Sequence, residues 1–283
     1  MANKVIFVLS AAFWAVMMGW LLRVEVLPKY EVYDTPGYEA VVKDVQAPIT
    51  RDMVVYQGTE EVGTSHTIIM PTADGATSII NATSLDVNVA MFQSRVNCLM
   101  EVRIGPDKEF DKLTLTLSAG EKHAEVAGRR IGNKIRLVVR LNGERYFQEI
   151  PYTSGMISSY FEPFGLGARL KVGQEWHTRF LDPLSQGTTD AIVKVVGRET
   201  LTMALRKGEE PKPIEAYKVT MTAGAIRLNA WATQDGSILK EETPLGYTLV
   251  YRESEDYDPN QAGVQKLRAQ ARSEELEPDD SER

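Results

Sequence analysis

Between about residue 51 and residue 252 the apolar side chains of this chain recur at every second position, the period of a half-buried β-strand. Val96, Cys98, Met100, Val102 and Ile104 make one such face. Leu113, Leu115 and Leu117 make a second, set against Lys112, Thr114, Thr116 and Ser118. Ile135, Leu137, Val139 and Leu141 alternate with Lys134, Arg136 and Arg140. Tyr217, Val219 and Met221 follow the same rule, as do Ile226, Leu228 and Ala230, and then Tyr247, Leu249 and Tyr251. Asp74-Gly75, Gly132-Asn133, Asn142-Gly143 and Asp235-Gly236 fall between the runs, and such pairs supply the positive φ of tight hairpins. Strands with one wet face and hairpin connections pair antiparallel. The expectation is a mainly β protein of roughly a dozen strands, one large antiparallel curved sheet or open barrel over residues 51–253. Ser154 to Leu170 breaks the period, as a loop or short helix dividing 51–150 from 171–253.

The ends read differently. Val5 to Leu22 carries no charge in 18 positions, between Lys4 and Arg23, which suffices for a bilayer span. The alternative is a cleaved signal peptide, but no small-x-small cleavage pattern and no lipobox cysteine follow. Residues 1–23 are therefore expected to be a transmembrane helical anchor. The flanking positive charges do not decide its direction, so the orientation usual for a short N-terminal tail is adopted, with the bulk of the chain outside the cytoplasm. This corresponds to a single-pass protein of a bacterial inner membrane facing the periplasm. Pro28, Pro36 and Pro48 mark 24–50 as a linker or stalk. Asp258-Pro259, followed by Val264, Leu267 and Ala271 on one face, predicts a short helix within 254–272. Residues 273–283 hold six acids and one base, so they supply −5 of the net charge of −7 and are expected to be a disordered tail. An acidic chain is a poor nucleic-acid binder, since phosphates must be neutralised by basic patches.

The residues offer little catalytic chemistry. His66, His123 and His177 are dispersed, and none has a second metal ligand at a suitable spacing. Cys98, the sole thiol, sits within an apolar strand face and reads as an inert core residue rather than a nucleophile. No GxSxG elbow surrounds Ser154, Ser158 or Ser159, and Gly165-Leu166-Gly167 lacks the rest of a nucleotide motif. Asn81-Ala82-Thr83 spells a glycosylation sequon, a tripeptide common by chance. No catalytic residue, metal or cofactor is expected. One apolar cluster stands out: Met156, Tyr160, Phe161, Phe164 and Leu166. It reads either as a plug closing one end of the core or as a lid over an apolar pocket.

Two stretches carry a resemblance. The first is VVYQGTEEVGTS, with Tyr56, Gly58, Val62 and Gly63. The second is WATQDGSILKEETPLGYTLVYRE, with Trp231, Asp235, Gly236, Leu239, Pro244, Gly246 and Tyr247. This ending is similar to bacterial cell-envelope proteins of undefined function, among them β-rich domains of unknown function and β-rich regions attached to transglutaminase-like domains, which in turn look like the open-barrel lipoprotein carriers of the LolA/LolB class. The resemblance implies turns or close sheet approach at Gly58, Gly63, Gly236 and Gly246, a sheet face covered by Trp231, and no catalytic residue.

Three functions follow as expectations. The first is a membrane-anchored, non-enzymatic envelope protein whose β-domain binds an apolar ligand, such as a lipid, or a partner protein. The second is a structural or assembly subunit of a membrane complex with no ligand pocket. The third, an enzyme, would need His66 or His177 beside a carboxylate.

Overall fold

The computed structural model describes residues 45–253 apart from 90–91, 142, 154–155, 159–169, 183–186 and 245, together with Met17, Met18 and Val42. Fifteen strands follow in chain order: β1 (Ile49–Gln57), β2 (Glu60–Pro71), β3 (Thr77–Val89), β4 (Phe92–Ile104), β5 (Phe110–Ala119), β6 (Lys122–Ile131), β7 (Lys134–Leu141), β8 (Glu144–Pro151), β9 (Ile157–Ser158), β10 (Glu175–Asp182), β11 (Gly187–Met203), β12 (Lys212–Ala223), β13 (Ile226–Ala232), β14 (Ile238–Glu242) and β15 (Tyr247–Arg252). All join one sheet, in the order β8-β7-β6-β5-β4-β3-β2-β1-β15-β14-β13-β12-β11-β10-β9. Neighbours are antiparallel except the two-residue β9, which runs parallel to β10. The four sequence-predicted turns lie at hairpin tips, and Gly75, Gly132, Gly143 and Gly236 there all have positive φ.

Connectivity requires this sheet to curl. β8 and β9 are its two outermost strands, yet only five residues of chain join them. Those residues span at most about 22 Å when fully extended. Fifteen strands laid flat would be about 67 Å across, at about 4.8 Å per neighbour. The edges must therefore approach each other, giving an open, barrel-like curl. The break at 154–170 does not divide two domains, because one sheet holds both halves through the β1–β15 pair.

Cross-strand register keeps one set of side chains on one face throughout. Ile79, Val102, Leu113, Leu137 and Ile150 share that face in the first half, and Val193, Val195, Val219, Met221 and Ala230 share it in the second. These residues form the two largest cores, so this is the inner face. A third cluster lies on the outer face, where Met203, Ala216, Trp231 and Leu239 pack together. Trp231 thus does cover a sheet face, on the outside.

The expected anchor and terminal helix fall outside the described residues, except that Met17 and Met18 are helical. Among the described residues no helix is long and apolar enough to cross a membrane. Between Ile49 and Arg252 the regular elements of the described residues are all strands.

Candidate ligand-binding face

The inner face changes character along the strands. At one end it is sealed. Ile69, Ile79, Val102, Ile104, Phe110 and Ile135 are fully buried there, and Val42, Val45, Tyr152 and Met156 pack over them. Tyr152 also accepts a 3.3 Å hydrogen bond from the Phe110 amide. Moving toward the other end, the same face opens. Leu85, Val96, Cys98 and Leu117 are only half-buried, and Leu141 and Tyr146 are exposed.

Between sealed core and open mouth, β2 and β3 place four polar side chains on this otherwise apolar face: Ser65, Thr67, Asn81 and Thr83. Their hydrogen bonds close a ring. Asn81 Nδ2 donates to Ser65 Oγ at 3.0 Å, and the Thr83 hydroxyl donates to Asn81 Oδ1 at 2.9 Å. With its proton so used, Thr83 accepts from the Ser65 hydroxyl at 2.8 Å. Asn81 Nδ2 gives its second proton to Thr67 Oγ1 at 2.9 Å. The ring matters because a half-satisfied polar group on an apolar face is expensive. Here three residues satisfy one another, and Thr67 accepts while keeping its own hydroxyl proton. In register, Thr67 faces Arg51 of β1, Ser65 faces Met53, and Thr83 faces Cys98 of β4. The patch therefore presents the Thr67 hydroxyl in a cross-strand row that Arg51 of β1 continues, bordered by Met53 and Cys98. An apolar surface with a few convergent polar groups is the usual make-up of a ligand site. Sequence reading passed these residues over because four short polar side chains in a strand look like the wet face. The signal that finds them is their place in the period: they fall in step with Ile69 and Ile79, which are buried.

The Asn81 amide is committed to this ring, so Asn81 is not presented as a glycosylation acceptor. Cys98 is half-buried, and desolvation pushes its thiol up to about 11. The raised thiol agrees with the inert residue expected, although Cys98 packs at the edge of the core and not within it. A prediction follows: at pH 8 the native thiol should react with maleimide about a hundredfold more slowly than the unfolded one, because the thiolate fraction falls tenfold per unit. Labelling followed by mass spectrometry, with and without urea, checks it; equal rates would mean that the thiol is exposed.

Of the apolar cluster singled out from sequence, Met156 is 3 % exposed and sits in the sealed end of the first core. Tyr160, Phe161, Phe164 and Leu166 lie outside the described residues.

The histidines are all on the outer face. His66 does find a carboxylate: Asp52 of β1, directly opposite in register, pairs with its Nδ1. On its other side His66 faces Ala82, and beyond that Leu99, so its own row brings no nucleophile. His123 borders a shallow cleft with Glu121, Glu125 and Arg140, in which Glu125 and Arg140 are ion-paired at 2.9 Å. His177 lies beside Trp176 on β10, pointing to the opposite side of the sheet. Among the described residues no cluster of three or more His, Cys, Asp or Glu could hold a metal ion.

No protein-family model matches the chain, and no curated protein matches it. Among solved structures the chain is similar to a beta-barrel-like protein of domain of unknown function DUF1849 from Brucella abortus. The TM-score is 0.46 at 10 % identity, over 72 % of this chain and 94 % of that one.

Proposed function

We propose that this chain is a non-enzymatic binding protein of the bacterial envelope, tethered through residues 5–22, whose curled sheet holds an amphiphilic ligand on its inner face. The observation that carries the reading is the hydrogen-bonded ring of Ser65, Asn81 and Thr83, set between a sealed apolar core and a half-open apolar mouth. A purely structural sheet would be as stable or more so with aliphatic residues at these positions. The ring instead holds Thr67 as an acceptor of the Asn81 amide, which leaves the Thr67 hydroxyl proton to offer. That donor suits the acceptor-rich head of an amphiphile. Met53, Cys98, Leu117 and Val96 would take its apolar chain. Use of the sheet in this way is what the resemblance to the open-barrel lipoprotein carriers implies. The uncharged run at the N-terminus supports membrane attachment, and the location of the β-domain outside the cytoplasm is part of the same proposal.

Full-length chain extracted in a non-ionic detergent tests the ligand. Lipids that co-purify would be measured by mass spectrometry for the native chain and for Thr67→Val and Asn81→Leu. The expected result is a small set of retained amphiphiles, reduced about tenfold in both variants, the loss of roughly one hydrogen bond to an acceptor-rich head. Bulk membrane lipid alone, equal in native and variant chains, would sink the ligand reading and leave an assembly subunit that uses the sheet as a platform.

A further inference from the structure

We propose that the acidic C-terminal segment, residues 273–283, docks on the outer face of β4 to β8 of its own chain. This face is strongly cationic although the chain is acidic. Eight Lys and Arg side chains from these strands share it with three Glu and Asp111, and five of the eight (Arg95, Arg103, Lys134, Arg136 and Arg140) are ion-paired. Four of the cations stand in one cross-strand row: Arg103 opposite Lys112, Lys112 opposite Arg129, and Arg129 opposite Arg136. Like charges directly opposite each other destabilise a sheet, and here three such pairs are consecutive.

The ends of the row are compensated. Arg103 meets Asp74 and Asp111, and Arg136 meets Glu149. The centre is not: Lys112 and Arg129 are exposed, and among the described residues neither has an ion pair. An anion laid along the row would relieve the repulsion. The tail supplies one of matching size, with Glu274, Glu275, Glu277, Asp279, Asp280 and Glu282 against one arginine.

It can also reach. The described chain ends at Glu253, just after β15, and Glu274 follows 21 positions later. A segment of that length spans about 30 Å if helical and up to about 70 Å if extended. From β15 to β6 is six strand spacings, or about 29 Å across the sheet. β15 also ends toward the correct edge. Arg252 lies opposite Asp52, and β1 continues from there toward Ile49, whose row contains Ile69 and Val102, one residue from Arg103. A tether long enough to cover the span gives the tail a high effective concentration at the row.

Zero-length carbodiimide cross-linking of the full chain in neutral detergent tests this directly. The expected products are amide bonds from tail carboxylates to Lys112 or Lys134, in preference to Lys171, Lys207 and Lys212 on the other half of the sheet. Their yield should fall about tenfold in 0.5 M salt, where screening is complete within a few ångströms. The double reversal Arg129→Glu with Arg136→Glu should abolish them while keeping Lys112 as reporter, with circular dichroism checking that the variant is folded. If that variant fails to fold, Glu274→Gln, Glu275→Gln and Glu277→Gln together give the same test from the tail side. Cross-links spread evenly over the exposed lysines would overturn the proposal. So would cross-links found only between isotope-labelled and unlabelled chains, which would place a second copy's tail on the face.

Discussion

Trp231→Ala is expected to cost about 3–5 kcal/mol of folding stability, among the largest losses for any single side chain in this protein. Trp231 is 5 % exposed and is the centre of the outer-face core with Met203, Ala216 and Leu239. Its indole N–H donates to Glu199 at 2.6 Å. Lys218 and Lys240 lie over the ring, with Nζ at 5.1 and 4.5 Å from its centroid. Alanine removes the ring, the hydrogen bond and both cation–π contacts, and leaves a cavity that a sheet cannot collapse to fill. Trp231→Phe separates these contributions. It keeps most of the apolar contact and loses the hydrogen bond, so about 1 kcal/mol is expected. That smaller difference should depend on pH. Lys218 first, and then the indole N–H, hold the Glu199 carboxyl below its ordinary value of 4.5. The stabilisation is complete above that value and is lost as the pH falls through the lower folded value. Native and Phe chains should therefore converge in acid. Urea unfolding followed by far-ultraviolet circular dichroism at pH 7 and pH 3 gives both numbers. An alanine variant as stable as the native chain would show that the outer core contributes nothing.

Gly63→Ala is the second large effect, for a backbone reason. Gly63 lies in β2 directly opposite Leu85, and a Cβ there would stand 2.2 Å from the Ser84 carbonyl oxygen and 2.9 Å from the Leu85 Cα. Both are main-chain atoms of the central part of the sheet and cannot rotate away. The strands must separate, at about 3 kcal/mol or more. Gly197 provides the control. It also sits in a strand, but nothing lies within 4 Å of its Cβ position. Gly197→Ala should be neutral or stabilising by about 0.5 kcal/mol, through the lower entropy of the unfolded chain. Paired thermal melts distinguish close approach from a general need for glycine in strands. Equal midpoints for the two variants would refute the close-approach argument.

The strands were readable because their signal is local. In β4, β5 and β7 every second residue is apolar, and those residues do line the inner face. The hairpin dipeptides were readable for the same reason, since positive φ is a property of one or two residues. The strand count was low where the alternation is blurred. β11 places Val195 and Val196 side by side, and a register shift there turns Val196 out to solvent. β9 has only two residues and no period at all.

The candidate site was less legible. Ser65 and Thr67 are neighbours along β2, but their partners Asn81 and Thr83 come from β3, and the ring exists only in the register that sets Ser65 opposite Thr83. Asp52 beside His66 is likewise a product of the β1–β2 register. The row of Arg103, Lys112, Arg129 and Arg136 joins four strands, while in sequence each is one more solvent-facing cation.

The sequence alone determined that this chain makes a sheet, which side chains of each strand share a face, and where the hairpins turn, because those properties depend on residues one or two positions apart. The tertiary structure decided that fifteen strands form one open, curled sheet whose halves join through β1 and β15, that Trp231 anchors an outer core, and that polar groups from two strands meet on the inner face. Each of these depends on which strand pairs with which and in what register, and pairing energy comes from contacts between residues distant in the chain.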